Sequence, residues 1–124
     1  MPFYGATAQI ATQQGVDLND NPVSVNSKRT QAHGLGAVPN MLVAHLQCVT
    51  AQYGFVSGDQ IYLFTKSNPG GGMGGIDDGC VIGADATNVW YFMDSNRIYV
   101  NRLDTGAIAL LTGANWQIFI HSYL

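Results

Sequence analysis

Two stretches of this chain, Met41 to Thr50 and Trp116 to Tyr123, alternate in a way that only an extended strand can use. Successive side chains of a strand point to opposite faces. In the first stretch Leu42, Ala44, Leu46 and Cys48 therefore share one face, which is wholly apolar. Met41, Val43, His45, Gln47 and Val49 share the other. The second stretch repeats the division, with Trp116, Ile118 and Ile120 on one side and Gln117, Phe119 and His121 on the other. A helical period of 3.6 would scatter both sets around the axis. The apolar faces are expected to close on each other as a sandwich core. The mixed faces suit neither full solvation nor a dry interior, so they are expected to be covered by something else, most simply another copy of the chain.

Charge sharpens that expectation. Asp, Glu, Lys and Arg make up only 10% of the 124 residues, and Glu is missing altogether. An ordinary soluble domain carries roughly 25%. With 47% hydrophobic residues, few solvating groups are left for the surface, and a chain of this kind tends to self-associate. Five cations and a net charge of −3 make no basic patch, so no nucleic acid and no membrane is expected as a partner. No apolar run approaches the length of a membrane span. A chain of this size forms one domain that buries about two-thirds of the surface its unfolded form exposes, and the two cysteines, Cys48 and Cys80, are too few for a disulfide framework or a zinc site. Whether the two pair stays open at this point; Cys48, on the apolar face, reads as a small buried hydrophobe.

Along the chain, residues 1 to 32 read as an N-terminal extended arm, with β-compatible runs at Thr7 to Thr12 and Val23 to Thr30. The Asp17-Leu18-Asn19-Asp20-Asn21-Pro22 cluster between them has turn chemistry. Residues 33 to 124 read as the β-sandwich domain. Asp59 to Thr65 alternates as the hairpin partner of the long strand, with Ile61 and Leu63 on one side and Tyr62 and Phe64 on the other. A glycine-rich run follows. Cys80 to Gly83, Asn88 to Met93, Arg97 to Arg102, Ala107 to Leu111 and Asn115 to Tyr123 then recur as short strands between Asp-, Asn- and Gly-bearing turns. The pattern predicts an all-β, antiparallel β-sandwich.

Four patterns invite an enzymatic or metal-binding reading, and each has a stronger structural one. Gly70, Gly72 and Gly75 fit a dinucleotide fingerprint, yet Asp77 and Asp78 follow where the phosphate would need a helix N-terminus. Asp17, Asn19 and Asn21 have the spacing of a calcium loop, but Pro22 stands where that loop needs glycine. Leu103-Asp104-Thr105-Gly106-Ala107 matches the aspartic-protease signature, and Asp-Thr-Gly between two strands is also an ordinary hairpin turn. His45 and His121 lie on the mixed faces and read as interface residues rather than metal ligands, because a lone His per face seldom binds metal. No enzyme activity, no cofactor and no metal site is expected.

The succession His33-Gly34-Leu35-Gly36-Ala37-Val38-Pro39, the strand ending Cys48-Val49-Thr50-Ala51, then Gly58-Asp59-Gln60, Ala84-Asp85-Ala86-Thr87-Asn88-Val89, Thr105-Gly106-Ala107 and Ala114-Asn115-Trp116 resembles small β-sandwich virion proteins of tailed bacteriophages, of the decoration or tail-fibre-tip type. It also resembles the trimeric H-type lectin plan. The likeness covers about residues 33 to 124 and implies a structural protein located in the virion. A free-standing chain of this size is expected to be a capsid decoration protein, with the major capsid or tail proteins as partners. The alternative is a carbohydrate-binding receptor-recognition module of a tail fibre or spike, with a host-surface glycan as ligand and Tyr53, Phe55 and Tyr91 as loop aromatics to stack on it. The likeness also implies a homotrimer; its contacts are expected on the mixed faces of the two long strands, with His45, Gln47, Phe119 and His121 near the axis.

Overall fold

The computed structural model describes residues 13 to 63 and 79 to 124. Among the described residues there are nine strands: β1 (Leu18–Asp20), β2 (Arg29–Ala32), β3 (Met41–Cys48), β4 (Gln60–Leu63), β5 (Cys80–Ala84), β6 (Asn88–Met93), β7 (Tyr99–Asn101), β8 (Ile108–Leu110) and β9 (Trp116–Tyr123). One sheet has the order β1-β9-β3-β4, a second the order β2-β6-β5, and β7 and β8 make a separate ribbon. Every pairing is antiparallel. The chain is an all-β protein built as a sandwich, as the alternation predicts.

The two long strands are its centre. β3 and β9 pair over their full lengths, from Met41 opposite Tyr123 to Cys48 opposite Trp116. That register puts Ala44, Leu46 and Cys48 beside Trp116, Ile118 and Ile120, and all six are buried. β4 adds Ile61 and Leu63 to the same face. From the second sheet β6 contributes Val89, Tyr91 and Met93, with Cys80 of β5, and Ile98, Val100 and Leu111 close the core from the ribbon. Burial of this apolar set is the main source of stability, at roughly 25 cal/mol per Å² removed from water.

The N-terminal arm does not stand apart. β1 lies against β9, with Leu18 opposite Ile120, and β2 lies against β6; Leu18 and Val23 belong to the core. β1 is thus an edge strand of the four-stranded sheet and β2 an edge strand of the three-stranded one. The Asp/Asn/Pro cluster misled because a three-residue strand needs little intrinsic propensity when a full-length neighbour offers it a ladder. The Thr7 to Thr12 run and the glycine-rich run lie outside the described residues.

A polar clasp closes the edge that β1 and β2 share. Arg29 Nε and Nη2 donate to the two carboxylate oxygens of Asp20 at 3.0 and 3.2 Å. Tyr91 donates its hydroxyl to Asp20 Oδ2 and accepts the Ser24 N–H at 3.0 Å. Burial, with the bond to Asp20, pushes the Tyr91 phenol up to about 12. Both cysteines are buried free thiols. Cys48 donates to the Thr50 carbonyl at 3.2 Å, and burial pushes Cys80 up to about 12.

Candidate functional site

On the face of the four-stranded sheet turned away from the core, the register assembles three rows. Gln60, Gln47 and Gln117 lie side by side across β4, β3 and β9; Tyr62, His45, Phe119 and Asn19 make the next row; Val43 and His121 make the third. Opposed residues on one face of a sheet are contact neighbours. His45 stacks on Phe119 with ring centroids 4.8 Å apart and planes 18° from parallel. It stacks on His121 at 5.4 Å and 27°, and Tyr62 leans on its other side at 5.8 Å. The amides are linked as well: Gln60 Nε2 donates to Gln47 Oε1 at 3.3 Å, and the Tyr62 hydroxyl donates to Gln60 Oε1 at 3.1 Å.

The four residues expected at an interface, His45, Gln47, Phe119 and His121, therefore share one contiguous surface. None is fully buried within the chain, and Tyr62 beside them is 54% exposed. Among the described residues one carboxylate reaches this surface. Asp17 Oδ1 lies 3.0 Å from His121 Nδ1, a close approach without the alignment of a hydrogen bond. Desolvation lowers the pKa of His45 from its ordinary value; His121 lowers it further and Asp17 opposes both.

Sequence reasoning passed over Tyr62 and Asp17 as members of this face. For Tyr62 the signal was present: it alternates with Ile61 and Leu63, and a β3–β4 hairpin must put it near the mixed face. Asp17 sat in the segment read as a turn, so nothing placed it beside β9.

The three aromatics expected on loops lie elsewhere in character. Tyr91 is in the middle of β6 and 0% exposed, because it alternates in phase with Val89 and Met93; its place as a ligand-facing residue is corrected. Tyr53 and Phe55 do sit on a turn. Gln52 and Phe55 bond to each other's backbone at 3.1 and 2.9 Å, and Tyr53 and Gly54 between them have φ of 57° and 87°, the positive pair of a type I′ hairpin turn. The turn is pinned down. Tyr53 donates its hydroxyl to the Leu110 carbonyl and carries the Arg102 guanidinium 5.2 Å from its ring centre. Phe55 meets Trp116 edge-on at 5.3 Å. Both rings are half-buried.

The protease-like signature also resolves into a turn. Gly106 has φ of 77° and donates its N–H to the Arg102 carbonyl at 2.8 Å. Arg102 grips the Asp104 carboxylate through two nitrogens at 2.9 and 2.8 Å, which holds that carboxyl below its usual range. Asp17 and Asn19 of the calcium-like spacing lie in and before β1. Among the described residues no three of His, Cys, Asp and Glu converge as a metal site. His33, the third histidine, is 1% exposed; its Nε2 bonds the Asp85 carbonyl at 2.8 Å while Nδ1 accepts the Leu35 N–H at 3.0 Å. An accepting Nδ1 fixes the Nε2–H tautomer. Set against protein-family models, curated proteins and solved structures, the chain matches none of them.

Proposed function

We propose that the chain is a non-enzymatic structural protein of a tailed-phage particle, a decoration protein of the capsid that assembles as a homotrimer through the outer face of its four-stranded sheet. One observation carries the assembly reading: the broadest sheet presents a continuous, nearly uncharged surface of stacked rings and amides in which His45, Gln47, Phe119 and His121 are neighbours. Aromatic residues amid uncharged polar groups have the composition of an interface core, from which charge is depleted. The scarcity of charge over the whole chain supports the same reading. The virion assignment rests on the resemblance of the turn and strand-leading residues to phage β-sandwich proteins, and the trimer on that plan's usual symmetry.

A second reading draws on Tyr62. An exposed ring flanked by the amides of Gln60 and Gln47 offers the stacking and hydrogen-bonding chemistry that a neutral sugar takes. A tail module that recognises a host glycan would use it. Mass spectrometry of purified heads and tails separates the two: stoichiometric recovery on heads, with no binder on a glycan array, supports decoration. Recovery on tails alone, with a glycan that no longer binds Tyr62→Ala, supports recognition. Sedimentation at neutral pH tests assembly, and a monomer there removes the interface.

A further inference from the structure

The outer face contains a feature that simple adhesion does not require, two histidines stacked on each other in one chain. Their ring centres are 5.4 Å apart. The groups that face them are few. β9 supplies His121 itself, the stacking ring of Phe119 and, next along the face, Tyr123; β4 supplies Tyr62; the segment before β1 supplies Asp17; the flanking Gln47, Gln60 and Gln117 are uncharged. Among the described residues Asp17 is the single carboxylate beside the two imidazoles, and it sits against His121 at 3.0 Å. His45 lies between Phe119 and Tyr62.

We propose that the stacked His45–His121 pair is a proton-operated latch on this face: uncharged, it lets a second copy of the chain close over the aromatic row; doubly protonated, it holds two cations 5.4 Å apart beside one carboxylate and drives the copies apart. The latch rests on the assembly reading above. Its sign follows from solvation. Closing a second copy over His45 removes more water from it, which disfavours the charged ring. The separated chain then takes up protons that the assembly refuses, so assembly is favoured at high pH and lost as pH falls through the ordinary histidine range. Within the chain desolvation and then His121 already lower the pKa of His45, and Asp17 acts in the opposite direction.

The experiment is sedimentation of the full chain between about pH 8 and about pH 5.5, the span over which histidine changes charge, together with nitrogen-15 imidazole titration of the same samples. Expected is a loss of self-affinity of about tenfold or more across that range, equivalent to about 1.4 kcal/mol. His45→Gln, and independently His121→Gln, should assemble at the higher pH and lose most of the pH dependence. In the titration His121→Gln should move the His45 midpoint up and Asp17→Asn should move it down. Monomers at pH 8 would overturn the assembly reading and the latch together. Assembly that persists undiminished at low pH, or that weakens as much in both Gln variants as in the unaltered chain, overturns the latch alone. A His45 midpoint indifferent to both neighbouring substitutions does the same.

Discussion

The inside of the sandwich and its outer face are furnished with the same residue types, put to opposite use. His33 and Tyr91 belong to the inner set, and Gln52, half-buried at the foot of the 52–55 turn, is bonded as they are. Both nitrogens of His33 are engaged. Tyr91 donates to Asp20 and accepts from Ser24, and the Gln52 amide oxygen takes the Trp116 indole N–H at 3.0 Å and the Thr112 N–H at 3.2 Å while its nitrogen donates to Thr112 Oγ1 at 2.7 Å. On the outer face His45 stacks on Phe119, His121 and Tyr62, while Gln47 and Tyr62 each bond to Gln60. Residue type alone therefore says little about role here. What separates the sets is whether the bonding capacity of a group is used up inside the chain, because a buried group left unsatisfied costs far more than an exposed one.

The contrast is open to direct attack, and the heaviest blow is truncation. Removing residues 1 to 32 strips β1, β2, Leu18 and Val23 from the sandwich, and the expected outcome is loss of a cooperative unfolding transition by circular dichroism. A truncated chain that still unfolds cooperatively would show the edge strands to be dispensable. Next, Trp116→Ala should lower stability by about 3–5 kcal/mol in urea denaturation, since it opens a large cavity and takes a donor from Gln52. His33→Ala should cost about 2 kcal/mol by leaving the Leu35 N–H without its acceptor. Tyr91→Phe keeps the ring and removes the hydroxyl, for roughly 1.5 kcal/mol. At the light end, Tyr62→Ala should change unfolding free energy by no more than about 0.5 kcal/mol while weakening self-association. An outer-face substitution as damaging to folding as Trp116→Ala would erase the distinction between the two sets.

Much of this was legible in the chain. The alternation of Met41–Cys48 and Trp116–Tyr123 located the central pair of strands, and the polar residues within it located the outer face. β6 was legible to the residue, so the same alternation that buries Val89 and Met93 already required Tyr91 to be buried with them. Regarding Tyr91 as a loop aromatic weighed its chemistry above its phase. β1 was illegible for a different reason: Leu18, Asn19 and Asp20 become a strand only because β9, paired with β3 along one edge, offers its other edge to them. The His33 socket likewise depends on a segment distant in sequence, the β5–β6 turn that brings Asp85 beside the end of β2, and no local pattern announces such a bond. Asp17 reached the outer face by the same route.

Gly54 has a consequence for how this molecule can vary. A methyl group at that position would meet the Asp104 side chain and backbone at 2.8 Å, so the 52–55 turn and the 102–107 turn are pressed together like two gear teeth. Neither can lengthen or change shape alone. Across descendants of this sequence the two turns should drift as a covarying pair, and a foreign peptide grafted into one of them for display would be tolerated only with a matching change in the other.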